Sequence, residues 1–180
     1  MKHSLHKAIG RIIDDVLLPP DCKIFKDQAC GGTQILPLFV SRKKSFATEY
    51  CNVDLLILKA DKIKIIFEIE ESDVKPTQIC GKFLTSALSS CYIGNKKDFK
   101  HIGMDDAVLF IQILDTSRLK VKNTKKIEQW KNIEKSIKKI IPLKGSQIKH
   151  YKLFYGGIQD FIGEAEKRKA LVYYVRKHLR

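Results

Sequence analysis

The clearest pattern of apolar and polar positions covers residues 52–70, where two apolar stretches flank a short turn at residues 60–62. Side chains of a β-strand alternate between the two faces of a sheet, so a period of two is typical of strands. The pattern therefore predicts a hairpin in which residues 50–59 pair with residues 63–70.

Two carboxylates lie at the end of the second hairpin strand, on the same face. Glu68 and Glu70 project together with Ile66, whereas the apolar side chains between them project to the other face. Pairing of the strands about their turn places Asp54 opposite Glu68. Burying a charge is costly unless it is paired or binds a metal, so three converging carboxylates predict a hard divalent cation. The alternative is that these acids are simply solvated at a strand end.

The remaining periodic segments predict helices. Apolar residues at helical spacing predict four of them, over residues 4–18, 76–92, 124–141 and 164–179. Ser4 is the expected N-cap of the first helix, and Pro19 with Pro20 stops it. Pro76 suits the first turn of the second helix, where its missing N–H would be unpaired anyway.

Two further strands complete the expected domain. The almost continuous apolar run of residues 107–114 predicts a strand buried on both faces, and alternation over residues 147–155 predicts another. Residues 36–39 fit either a short edge strand or a loop, and residues 94–106 predict a polar loop. We expect one domain over residues 1–180, of α/β (α+β) class, with a mixed sheet flanked by helices.

The net charge of the chain indicates a class of binding partner. The chain carries 34 Lys and Arg against 20 Asp and Glu, a formal charge of +14, which favours a polyanion such as nucleic acid. A lysine-rich surface without such a partner is the alternative. Arg42, Lys43 and Lys44 form a compact basic loop just before the hairpin. This loop is a candidate phosphate contact or a solvated turn.

The cysteines and the lengths of the apolar runs argue against a zinc site and a membrane-spanning helix. The five cysteines form no CxxC pair, which argues against a zinc site, and their odd number and irregular spacing predict reduced thiols in the cytoplasm. We expect no membrane association, because no apolar run approaches the ~20 residues that a membrane-spanning helix needs.

The acids and their spacing resemble the PD-(D/E)xK nuclease superfamily, which has the restriction-endonuclease-like fold. Asp54 occupies the position of the first acid, although Asn52-Val53 rather than proline precedes it, and Glu68 occupies the second. Glu70 stands where the motif usually has lysine, as in the E-x-E variant of some restriction endonucleases. The resemblance covers roughly residues 49–90.

The resemblance implies a site and a cofactor. Asp54, Glu68 and Glu70 would hold Mg²⁺, for which Mn²⁺ can substitute, and Glu70 would also act on the attacking water. Lys82, on the helix that follows, is a candidate for the missing positive charge or an exposed helix lysine. Gln78 lies one helical turn away from it. Glu49 is a candidate fourth acid or an exposed strand-edge charge.

We therefore expect a Mg²⁺-dependent DNA endonuclease similar to a small Type II restriction enzyme. It would act on double-stranded DNA, and cutting both strands favours a homodimer, since each hairpin makes one metal site. A junction-resolving or repair nuclease on the same fold is the nearest alternative. A non-catalytic basic protein that binds nucleic acid is the alternative from another class.

Overall fold

The computed structural model describes residues 3–71, 74–94, 101–119 and 124–180 of the chain. In these residues the chain forms four α-helices and an eight-stranded mixed sheet. The helices are α1 (Ser4–Asp14), α2 (Pro76–Leu88), α3 (Thr124–Ile140) and α4 (Glu166–Leu179), and a short 3₁₀ helix covers Ile158–Asp160. The strands are β1 (Cys22–Lys26), β2 (Pro37–Phe39), β3 (Glu49–Asn52), β4 (Leu55–Lys59), β5 (Lys62–Glu70), β6 (Cys91–Ile93), β7 (His101–Asp115) and β8 (Ile148–Gly156).

The predicted hairpin is formed by β4 and β5. Leu55 pairs with Phe67, which is the predicted register, and the pairing shifts by one residue near the turn. Ala60 and Asp61 form that turn with φ angles of 48° and 58°. Two successive left-handed residues are typical of the type I′ turn, whose twist matches that of the flanking strands. The prediction of hairpin and register is confirmed.

The sheet curls so that its two ends meet beside Asp54. Only Val53 and Asp54 join β3 to β4, yet these strands lie towards opposite ends of the order β1-β4-β5-β7-β6-β2-β3. The amide of Val53 donates to the Leu36 carbonyl at 3.1 Å, and the amide of Asp27 donates to the Asp54 carbonyl at 2.9 Å. The prediction that the first hairpin strand begins at residue 50 is wrong, because the residues before Val53 form the edge strand β3.

Helices cover both faces of the sheet. Ile65, Phe67 and Ile69 pack in a hydrophobic layer with α1 and α4, whereas Ile66 packs in a second layer with α2 and α3. The predicted alternation along β5 is therefore confirmed, and Glu68 faces the α2 layer. The architecture is a mixed α+β sheet flanked by helices, as the predicted fold class required.

The long strand β7 runs through the centre of the sheet. It pairs in parallel with β5 on one side, and with β8 in parallel and β6 in antiparallel on the other. The predicted buried strand at residues 107–114 is confirmed within it, and β8 confirms the strand predicted at residues 147–155. The prediction of a loop at residues 94–106 is wrong from His101 onwards, where pairing with β6 extends β7. Residues 95–100 lie outside the described part of the chain.

Other element boundaries also differ from the predictions. Ser4 is the first helical residue of α1 rather than its N-cap, since His3 holds that position without a side-chain capping bond, and α1 already ends at Asp14. The second helix ends at Leu88, before β6. Residues 36–39 contribute β2, which lies between β3 and β6 instead of at an edge. No helix in the described residues is both long and apolar enough to cross a membrane.

Candidate active site

The ends of the hairpin strands open into a cleft of about 860 Å³ between α1 and α2. The cleft lies where the two ends of the curled sheet meet, so side chains from distant parts of the sequence face one another. Its polar and charged lining comes from His3, His6, Tyr50, Asn52, Asp54, Glu70, Glu71, Gln78, Lys82, Thr85 and Arg118.

Glu68 lies beneath this cleft and is completely buried. Its Oε2 accepts a hydrogen bond from Lys82 Nζ at 3.1 Å, and this contact brings the predicted lysine from α2 to the predicted acid on β5. Its other oxygen, Oε1, is buried without any hydrogen-bond partner in the described residues. A buried carboxylate oxygen without a partner is costly, because the oxygen has lost its bonds to water.

Asp54 lies at the seam of the sheet, immediately before β4. Its Oδ2 accepts a hydrogen bond from the Ile69 amide at 2.6 Å and lies 3.7 Å from His6 Nε2. Burial raises the pKa of Asp54 to about 6, against the opposing effects of His6 and of the Ile69 amide. The structure thus places Asp54 beside the end of β5, as the predicted pairing required.

The carboxylates influence one another electrostatically. Burial raises the pKa of Glu68 well above its ordinary value, and the charges of Asp54 and Glu70 raise it further while Lys82 opposes them. Burial lowers the pKa of Lys82, but the neighbouring carboxylates, Glu68 first, raise it above its ordinary value. Burial and the acidic neighbours therefore favour the protonated form of Glu68, against the single lysine beside it.

His6 joins the site from α1, an element that the sequence did not connect to it, and its partner Glu71 directly follows β5. The Nδ1 atom of His6 and its backbone amide each lie 2.8 Å from the same Glu71 oxygen, and His6 is buried. Burial raises the pKa of Glu71, but the hydrogen bonds from His6 outweigh that effect and lower it. His6 thereby links α1 to the end of β5 and lies between Glu71 and Asp54.

The other predicted site residues have separate places. Gln78 lines the cleft, and its Oε1 accepts a hydrogen bond from the Lys75 amide at 2.8 Å at the start of α2. Glu49 is exposed on β3, where it accepts a hydrogen bond from Asn52 Nδ2 at 3.0 Å. Asn52 lines the cleft, whereas Glu49 lies outside its described lining.

The basic loop joins β2 to β3. Arg42, Lys43 and Lys44 are exposed in it and lie apart from the described lining of the cleft. Thr48 holds the loop by donating its hydroxyl to the Lys43 carbonyl at 2.5 Å. Phe46, at 98% exposure, projects from the tip. The loop thus presents cations and one aromatic ring at an edge of the molecule.

Asp54 and Glu68 carry carboxylate oxygens, the kind of ligand that a hard divalent cation takes. Within the described ranges, no group of three or more His, Cys, Asp or Glu side chains is arranged to hold a metal ion jointly. Mg²⁺ usually keeps several water ligands and takes only one or two protein carboxylates, so a smaller donor set is sufficient. Glu68 Oε1, which has no hydrogen-bond partner in the described residues, is one such donor.

Comparisons with protein-family models, with curated protein sequences and with solved structures found no match to this chain.

Proposed function

We propose that this chain is a Mg²⁺-dependent DNA endonuclease whose site resembles that of the PD-(D/E)xK superfamily, on a restriction-endonuclease-like sheet. The observation that carries the proposal is the fully buried Glu68, which has one oxygen on Lys82 and the other without a partner. A structural carboxylate in this position would have been satisfied or replaced by an apolar residue, because the arrangement costs stability.

Asp54 and Glu68 would hold the cation, together with the backbone carbonyl of Ile69. When bound, such an ion polarises a phosphoryl oxygen and makes a coordinated water more acidic. The Ile69 amide fixes Asp54 Oδ2 at 2.6 Å, so the first acid is oriented before any ligand arrives. Orientation in advance lowers the entropic cost of forming the site.

Glu70 and Lys82 would act on the substrate. Glu70 lines the cleft two residues after Glu68, where it can position a water or accept its proton. Lys82 also lines the cleft, and its Nζ carries a positive charge that would stabilise charge developing on the phosphate. In this arrangement the motif lysine is delivered from α2 instead of from the end of β5.

The net charge of +14 supports DNA as the partner, since each neutralised phosphate releases condensed counterions. Arg42, Lys43 and Lys44 would contact the backbone from the β2–β3 loop. Cleavage of both strands would use two copies of the chain, each contributing one site.

The test is incubation of the purified chain with double-stranded DNA and with four-way junctions, in Mg²⁺ or in EDTA. We expect discrete duplex fragments in Mg²⁺ alone, and Asp54→Ala and Glu68→Ala should bind DNA without cutting it. Selective cutting of junctions would assign a resolving role to the same site. Binding without cleavage in any divalent cation would overturn the proposal and leave a binding protein.

A further inference from the structure

A groove runs along α1 and α4. A depression of about 490 Å³ begins at Ser4 and Lys7, next to the cleft residues His3 and His6. A second depression of about 650 Å³ follows along α4. The two depressions share Ile12, Asp15 and Arg168 in their walls, so they form one path. We call this path the α1–α4 groove. Its cationic side chains are Lys7, Arg11, Arg168, Lys169, Arg176, Lys177 and Arg180.

The α1–α4 groove is strongly cationic. Arg168 lies 3.7 Å from Asp15, which offsets part of its charge. Arg176 and Lys177 are exposed, and no carboxylate in the described part of the chain lies within ion-pair distance of either. Glu164 also lines the groove and lies 3.6 Å from Lys169. The uncompensated cations are therefore those near the end of α4, where Arg176 and Lys177 attract a ligand with several negative charges.

The dimensions of the groove fit a nucleic-acid backbone. The part of α4 from residue 168 to residue 179 extends over roughly 17 Å at 1.5 Å per residue. That length matches about five nucleotide steps, because phosphates along one DNA strand advance ~3.4 Å per step. Tyr173 is 60% exposed in the same wall, so the groove offers an aromatic surface between its cations.

We propose that the α1–α4 groove binds the sugar–phosphate backbone of the DNA segment that leaves the cleft. The inference rests on the proposed function, since it takes the ligand of the cleft to be DNA. It adds a second contact surface on the face of the sheet covered by α1 and α4, away from the β2–β3 loop. The helix α1 lies along both regions, since His6 near its start lines the cleft and Asp15, directly after its last residue, lines the groove.

The test compares two variants that lose the same charge on opposite faces of the sheet. Arg176→Gln with Lys177→Gln removes two cations from the groove. Lys135→Gln with Lys139→Gln removes two exposed cations from α3, which packs on the other face. Binding of a fluorescent duplex is measured in EDTA over a series of salt concentrations, so cleavage does not enter the result.

The groove variant should lower the dependence of log Kd on log salt by about two, since each lost phosphate contact lowers the slope by about one. The control variant should keep the wild-type slope. Equal changes in both variants, or none in the groove variant, would overturn the proposal. If the groove variant unfolds, Lys7→Gln with Arg11→Gln serves as the second pair, with the same expectation.

The outcomes of the two proposals are distinguishable. A chain that never cuts DNA but loses salt dependence only in the groove variant contradicts the proposed nuclease and keeps the groove. A chain that cuts DNA in Mg²⁺, with equal slopes in the groove and control variants, contradicts the groove and keeps the nuclease.

Discussion

Glu68 and Glu134 each accept a hydrogen bond from a lysine, yet their pKa values are shifted in opposite directions. Glu134, on α3, accepts hydrogen bonds from Lys138 at 2.7 Å and from the Leu153 amide at 3.2 Å, and Lys152 lies 3.5 Å away. Burial raises the pKa of Glu134, but these partners outweigh burial and lower it. Burial raises the pKa of Glu68 well above its ordinary value, and its single lysine does not compensate.

The difference indicates what each carboxylate contributes. Glu134 joins α3 to β8 and has donors enough for its charge, so it stabilises the fold. Glu68 lies deeper, keeps one oxygen without a partner and has acidic neighbours, so its ionised form destabilises the fold. Groups that are unfavourable for folding concentrate at functional sites, and this contrast separates a structural ion pair from a candidate active site.

The largest expected effect is on cleavage. Glu70→Gln keeps the size of the side chain but removes its charge and basicity, so the rate should fall by about 10²–10⁴-fold, as for a lost general base. Glu134→Gln should cut DNA at the wild-type rate. Single-turnover cleavage with saturating enzyme measures both. Full activity in Glu70→Gln together with an inactive Glu71→Gln would move the chemistry to the side of His6.

The second prediction concerns the pH dependence of stability, which should have opposite signs for the two carboxylates. The pKa of Glu68 in the folded state is above its unfolded value of about 4.3. Its contribution to the free energy of unfolding therefore becomes unfavourable as pH rises from about 4.3 to the folded pKa. The folded pKa of Glu134 is below that value, so its contribution is complete above about pH 4.3 and is lost as pH falls through the folded pKa.

Urea unfolding in EDTA over a pH series measures these contributions. Relative to Glu68→Gln, the wild-type chain should lose stability as pH rises. Relative to Glu134→Gln, the wild-type chain should gain stability as pH rises. The total gain should be about 1–3 kcal/mol, because hydrogen bonds to a charged group are lost in that variant. The same sign for both variants would remove the contrast between the two carboxylates.

A smaller effect follows from metal binding. Mg²⁺ at ten times its Kd should stabilise the wild-type chain and Glu134→Gln by about 1.4 kcal/mol, since a ligand that binds only the folded state shifts the equilibrium. Glu68→Gln should show little or none of this shift. Thermal unfolding with and without Mg²⁺ gives the comparison, and an equal shift in all three chains would place the metal elsewhere.

The smallest effect concerns the lysine of the structural pair. Lys138→Ala should cost only about 0.3–0.5 kcal/mol, as is typical for an exposed i,i+4 helix pair, because Lys152 and the Leu153 amide still serve Glu134. Lys82→Ala should instead reduce cleavage strongly. Loss of cleavage in Lys138→Ala, or cleavage at the wild-type rate in Lys82→Ala, would contradict the structural role of Lys138 and the role of Lys82 in cleavage.

Much of the fold near the candidate site could be predicted because the signals there are local. The β4–β5 hairpin consists of two apolar runs around a two-residue turn, and Pro76 opens α2 at the expected place. The register and the start of α2 made Lys82 a candidate for the positive charge near the acids, with an exposed helix lysine as the alternative. The structure decides between them, since Lys82 Nζ lies 3.1 Å from Glu68 Oε2.

The rest of the sheet depends on contacts between residues far apart in sequence. β6 has three residues, and the first part of β7 contains Gly103, Asp105 and Asp106, so neither has a clear strand pattern. They are strands because they pair with each other and because the Met104 amide donates to the Ser90 carbonyl at 3.1 Å. Such pairing is set by the tertiary fold, which propensity does not capture.

His6 was missed for the same reason. On α1 it is one polar residue next to an apolar stripe, and its partner Glu71 lies 65 residues away in sequence. A histidine at the edge of an apolar face has no recognisable spacing to the acids on β5. Only the curled sheet, which brings α1 over the end of the hairpin, shows that His6 belongs to the site.

Cleavage of duplex DNA by three purified chains, the wild type, Glu68→Gln and Glu134→Gln, tests the central claim most directly. In Mg²⁺ the wild type and Glu134→Gln should produce discrete fragments at equal rates, and neither should cut in EDTA. Glu68→Gln should bind the duplex as tightly as the wild type or more so, since a negative charge near phosphate is lost, but leave it intact. Cleavage by Glu68→Gln at the wild-type rate, or no cleavage by the wild type in any divalent cation, would contradict the account.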